Sequence, residues 1–127
     1  MKRSLLCLLV LALAASGCSS KNKFEKEADK ITNAVIANNM DPVRADFDSQ
    51  AQVQITRVRV ARLSDELNSE GKFQGVKERP SSGSSAPNTH YFNAPFEKHV
   101  YEEKLVLDDD GKVREWDVRE KASAPAP

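Results

Sequence analysis

The chain has 127 residues, with 19 lysines and arginines set against 19 aspartates and glutamates, so its formal net charge is zero. That balance supplies no global basic field to draw in nucleic acid. With two cysteines and 6% aromatic residues, the chain must fold around a modest core rather than a disulfide framework.

The N-terminus carries an address. Lys2 and Arg3 give a positive start, and Leu5 through Ala15 is an apolar run without a charge. A secretory apolar region spans about 7–15 residues, whereas a bilayer-crossing helix needs about 20, so this run is too short to stay in a membrane. It ends in Ala15-Ser16-Gly17-Cys18 and passes at once into polar Ser19, Ser20, Lys21, Asn22 and Lys23. Small residues let the backbone lie extended in a peptidase groove, and the Cys18 thiol supplies the sulfur that takes a diacylglyceryl group. The pattern is that of a bacterial lipoprotein precursor. Residues 1–17 are expected to be a cleaved signal peptide, and residues 18–23 the lipidated cysteine and a short tether. Ala15 stands where such a lipobox usually has leucine. An ordinary secretory signal cut after Ala12-Leu13-Ala14 would leave Cys18 without a role. Cys7 departs with the signal, so Cys18 is the one cysteine left, and acylation accounts for it. One acyl chain anchors only marginally, and a bacterial lipoprotein cysteine normally carries three. Ser19, rather than aspartate, after the cysteine matches the default that is passed to the outer membrane in a Gram-negative cell. The mature chain would keep 17 basic and 19 acidic residues, a net charge of −2.

From Phe24 to about Asn39, the residues Phe24, Ala28, Ile31, Val35 and Ile36 recur at spacings of three and four, which predicts a helix. Asp41-Pro42 looks like an N-cap followed by a proline at the first helical position, so Val43 to Phe47 is expected to be a short second helix. Asp48-Ser49 could cap a further short turn carrying Val53. Thr56 is the predicted N-cap of a helix over 57–69, with Val60, Leu63 and Leu67 buried and Gly71 as its stop.

Beyond Gly71 the period changes. Strands are predicted over 73–78, 89–96, 99–107 and 113–119, with a mobile hairpin loop, Arg79 to Asn88, rich in Ser, Pro and Gly. Asp108-Asp109-Asp110-Gly111-Lys112 reads as a turn, with Gly111 where positive φ is needed. Helices first and an antiparallel meander second define an α+β domain over 24–120, followed by a disordered tail over 121–127.

Several stretches together carry a family resemblance: the entry helix followed by Met40-Asp41 and Phe47; Ile55-Thr56 through Leu63 and Leu67 to Gly71-Lys72-Phe73; and Phe96-Glu97 through Leu105-Val106-Leu107 to Gly111-Lys112-Val113. On these the chain resembles the cystatin-like side of the nuclear-transport-factor-2-like superfamily, over roughly residues 24–119. The resemblance implies N-terminal helices packed on a curved antiparallel sheet, cone-like and with room for a pocket. It implies no single function and carries over no catalytic residue.

Pairing Asp108 with Lys112 across the turn sets Leu107 opposite Val113, Leu105 opposite Glu115 and Glu103 opposite Asp117. In that register His99, Tyr101, Glu103, Glu115 and Asp117 share one face and form the candidate pocket. A like-charge pair such as Glu103 and Asp117 is unfavourable without a neighbouring cation. The face could bind a cation or polar ligand or do acid/base work. A solvated edge that spreads its charge into water is the reading the sequence favours. Asp108-Asp109-Asp110 lacks the alternating ligands and closing glutamate of a calcium loop. His90 and His99 lack zinc spacing. Ser82 to Ser85 lack a nucleophile elbow. Arg57, Arg59 and Arg62 are offset by Asp65, Glu66 and Glu70, as on a solvated helix face. No catalytic residue, metal ligand or cofactor is therefore expected.

The resulting expectation is a lipid-anchored envelope protein, attached to the membrane through Cys18, that is not an enzyme. It would bind a small-molecule ligand or an envelope protein, and no nucleic acid. An enzyme with His99 as acid/base and Tyr101 or Asp117 orienting it is one alternative. A structural role as a homodimer is the other.

Overall fold

The computed structural model describes residues 20–80 and 86–122. The expected signal peptide, Cys18, the serine-rich centre of the loop at 81–85 and the end of the tail at 123–127 lie outside the described residues.

Helix α1 runs Lys23–Ile36. It starts where it does because Asn22 closes a capping box. Asn22 Oδ1 accepts from the Phe24 and Glu25 amides, both at 2.9 Å, and the Glu25 carboxylate accepts from the Asn22 amide at 3.2 Å. Lys21 is also fixed: its ammonium pairs with Asp29 and donates to the Val76 carbonyl at 3.1 Å. The expected tether is thus shorter than residues 18–23, because Lys21 and Asn22 already belong to the domain. The stripe of Ala28, Ile31 and Val35 is buried as its spacing requires.

The expected helix over 43–47 is a single 3-10 turn, Arg44–Asp46. It stops at Phe47, whose extended backbone (φ −90°, ψ 142°) lets it bridge Val113 in parallel and bury its ring. Asp48 caps α2, Ser49–Gln54, which buries Ala51 and leaves Val53 78% exposed. Thr56 caps α3, Arg57–Ser69, with Val60, Leu63 and Leu67 in the core as predicted.

Four strands follow: β1, Lys77–Glu78; β2, Thr89–Pro95; β3, Val100–Leu107; and β4, Val113–Glu120. They form an antiparallel sheet in chain order, so the α+β reading holds in its coarse form. The first strand is shorter than predicted, with Phe73 contributing only an isolated bridge to Phe96. Lys121 extends the last pairing by donating to the Val100 carbonyl at 3.0 Å, so the expected tail begins later than 121. Phe92, Ala94, Tyr101, Leu105, Trp116 and Val118 line the buried face.

The largest departure from expectation is in the β3–β4 hairpin. Leu107 pairs with Val113, as its turn requires, but Val106 pairs with Glu115, so Arg114 is an extra residue. This β-bulge advances the register by one, and with a side-chain period of two it reverses every face beyond it. Leu105 now faces Trp116, Glu103 faces Val118, and Lys104 faces Asp117.

Gly71 and Gly111 both have positive φ, +83° and +78°. A Cβ on Gly111 would meet open space, whereas one on Gly71 would collide with the Glu97 side chain, its Cβ lying at 2.9 Å. Gly111→Ala should therefore cost about 1–2 kcal/mol of left-handed strain, and Gly71→Ala at least about 1 kcal/mol more from overpacking. Urea unfolding of the two variants measures this order, and equal midpoints would refute it.

Candidate functional site

The bulge dismantles the expected polar cluster and builds a different one. Glu115 and Asp117 stand on the solvent side, paired with Lys104 at 2.9 Å and Arg59 at 3.4 Å. His99 is exposed in the β2–β3 turn, where its Nδ1 lies 2.6 Å from Glu70 Oε2. That hydrogen bond, and then the Glu70 charge, raise its pKa above the usual 6.5. Tyr101 is buried, with its hydroxyl directed at Glu66 Oε1 (3.4 Å). Burial first, and then Glu70, Glu66 and Glu120, push it to about 12. Of the five expected residues, only Tyr101 and Glu103 point to the interior.

Glu103 is 1% exposed on the inner strand β3, between Tyr101 and Leu105. Both carboxyl oxygens have partners. Oε1 lies 2.5 Å from Thr32 Oγ1 on α1, and Oε2 accepts from Trp116 Nε1 on β4 at 3.2 Å. Thr32 Oγ1 also lies 2.8 Å from the Ala28 carbonyl. A threonine hydroxyl has one hydrogen and cannot serve two acceptors. With a proton on Glu103 Oε1 the chain closes: Glu103 donates to Thr32, Thr32 donates to Ala28, and Trp116 donates to Oε2. Burial, the largest cause, lifts the Glu103 carboxyl from 4.5 to about 7. The hydrogen bonds that an ionised Glu103 would accept from Thr32 and Trp116 pull it down, Asp29 adds to the rise, and Lys21 opposes it.

The Trp116 ring, anchored this way on its inner edge, forms part of a surface trough. One end, of about 370 Å³, lies between the loop after α1 and the start of α3, over Met40, Ile55 and Val60. The other end, of about 170 Å³, lies between α2 and β4, over Phe47, Ala51 and Trp116. A small apolar recess of about 20 Å³ shares Met40 and Val60 with the first and Arg59 and Trp116 with the second, and Ile55 lines all three. Arg44, Arg57 and Asp41 line the first end, and Arg59, Arg114, Glu115 and Asp117 the second, so that the surplus positive charge lies at the first.

No family model, curated protein or solved structure matches this chain.

The acidic turn is occupied by its own backbone. Asp108 Oδ1 accepts from the Asp110 and Lys112 amides at 3.0 and 2.8 Å. Among the described residues no three His, Cys, Asp or Glu side chains converge on a metal position. His90 and His99 are engaged separately, by Glu78 and Glu70. Ser82 to Ser85 lie outside the described residues. Sequence reasoning missed Thr32 and Trp116 as the partners of Glu103. The alternation Tyr101, Glu103, Leu105 was a signal that this glutamate points inward.

Because the folded pKa of Glu103 is raised, its contribution to stability is complete below the unfolded value of 4.5 and is lost as pH rises through about 7. That shift corresponds to about 3 kcal/mol. Glu103→Gln keeps the shape and removes the titration. Relative to this variant, the wild type should lose about 3 kcal/mol between pH 4.5 and pH 8. Denaturant unfolding across that window checks it, and parallel curves for the two proteins would contradict it.

Proposed function

We propose that this protein is a lipid-anchored, non-enzymatic binding module of the bacterial cell envelope. In this reading Cys18 carries the lipid, and in a Gram-negative source the domain faces the periplasm from the outer membrane. The address rests on Lys2-Arg3, the short apolar run and the small residues before Cys18. Among the described residues, no helix is long and apolar enough to cross a membrane.

The observation that carries the binding role is the trough over Met40, Ile55 and Trp116, where apolar side chains lie among polar ones such as Asn38, Asn39 and Gln54 and among four arginines and three acids. Its features suit recognition. The fully buried acid Glu103 has both oxygens engaged by Thr32 and Trp116 and lines none of these openings. Its role in this reading is to position Trp116. Membership of the cystatin-like superfamily and a cone shape belong to the same proposal, supported by helices preceding an antiparallel meander.

Anchoring would also orient the domain. Two residues, Ser19 and Ser20, separate Cys18 from the docked Lys21, a reach of roughly 10 Å. The N-terminal end of α1 would then sit against the membrane surface. The trough opens past the other end of α1, about 20 Å further on.

Growth of bacteria expressing the full chain with an alkyne-tagged fatty acid tests the address. The wild type should take the label and sediment with membranes, while Cys18→Ala should lose both properties. An unlabelled wild type, or a Cys18→Ala protein that stays labelled, would refute the anchor.

A further inference from the structure

We infer that the trough binds an extended peptide segment of a partner protein, carrying apolar side chains along its length and a carboxylate at the Arg57 end. The inference rests on the reading of the domain as a binding module and names the class of its partner.

Three features select a peptide. The first is shape: two open grooves and a recess of about 20 Å³ are all lined by Ile55, an arrangement that suits a chain laid across the surface. The second is the sheet edge. β4 is the last strand of the sheet, and among the described residues its outer edge is paired through the backbone at Val113, where Phe47 bridges and the Asp48 amide donates at 2.9 Å, while Arg114 and Asp117 are met by the side chains of Asp48 and Arg59. Past that point, Arg114 to Asp117 form one wall of the trough with no strand beside them among the described residues. An extended chain there can use main-chain hydrogen bonds as well as side-chain contacts.

The third feature is charge. The rim arginines are loosely held: Arg44 is 3.9 Å from Asp41, Arg59 is 3.4 Å from Asp117, and Arg114 is 3.7 Å from Asp48. Arg57 has no ion-pair partner among the described residues, and its side chain lines the trough beside Arg44. One cation is therefore left over at that end, where a guanidinium can take a carboxylate in two parallel hydrogen bonds.

Trp116 is the one tryptophan of the chain and lies on the trough floor, so its emission reports occupancy directly. The test titrates the full-length protein with a short fluorescein-labelled peptide of alternating valine and glutamate, following anisotropy and Trp116 emission. Both should change saturably, and a valine–lysine peptide should leave both unchanged. Arg57→Glu, at the first position of α3 where an acid suits the helix, should fold normally and weaken binding by on the order of tenfold or more. Arg62→Glu, exposed on the same helix but outside the trough, should bind as the wild type does. Equal binding of the lysine peptide, or an Arg57→Glu protein that binds undiminished, overturns the inference. So does a Trp116 response to phosphatidylglycerol vesicles without one to the peptide, which would assign the trough to a membrane. Native mass spectrometry of the same protein separates the two readings. A co-purified small ligand with no peptide binding overturns the peptide alone, whereas no ligand and no peptide removes the binding role as well.

Discussion

The domain is joined through one buried carboxyl group. Glu103 sits on an inner strand of the sheet and ties the helical layer, through Thr32 on the first helix, to the neighbouring edge strand, through Trp116. An ionised carboxylate in such a place would be poorly solvated and would leave the threonine hydrogen contested between two acceptors. A neutral acid satisfies every partner. The core therefore fits together best when Glu103 holds a proton, and the same contact fixes the indole that floors the surface trough. The packing of the core and the surface proposed for recognition thus depend on one side chain.

That contact exists because of one inserted residue. The hairpin turn alone sets Leu107 against Val113, and strict alternation from there would carry Trp116 to the solvent and Glu115 and Asp117 inward. Burying three charges and exposing the sole tryptophan is physically untenable. Arg114 is taken up as a bulge instead, next to the point where Phe47 and Asp48 grip Val113 from the other side. The trace in the sequence is that Val113, Trp116 and Val118 do not share one parity, an odd step that an inserted residue resolves.

Most helices were legible because their signals are local. Thr56, Leu63, Leu67 and Gly71 mark one helix from cap to stop, and Ala28, Ile31 and Val35 mark another. What escaped depends on distant partners. Phe47 ends a turn early because Val113, far along the chain, offers it a bridge. Lys21 leaves the expected tether because Asp29 and the Val76 carbonyl converge on it. The trough was not legible either, since Ile55, Arg57 and Trp116 come together only through tertiary packing. Glu103 was singled out as part of a polar pocket face with Glu115 and Asp117, whereas its neighbours are Thr32 and Trp116 in the core.

The claim that Glu103 holds its proton well above the range of an ordinary glutamate, up to about pH 7, is open to direct observation. A carbon-13 NMR titration of the side-chain carboxyl groups, with Glu103→Gln identifying the resonance, reads its protonation without reference to stability. The account requires a midpoint near 7 for this one carboxyl, well above the 4.5 of an ordinary glutamate. A Glu103 resonance that titrates near 4.5 would mean that the buried group is ionised at neutral pH, and the proton-closed chain from Glu103 through Thr32 to Ala28 would be wrong.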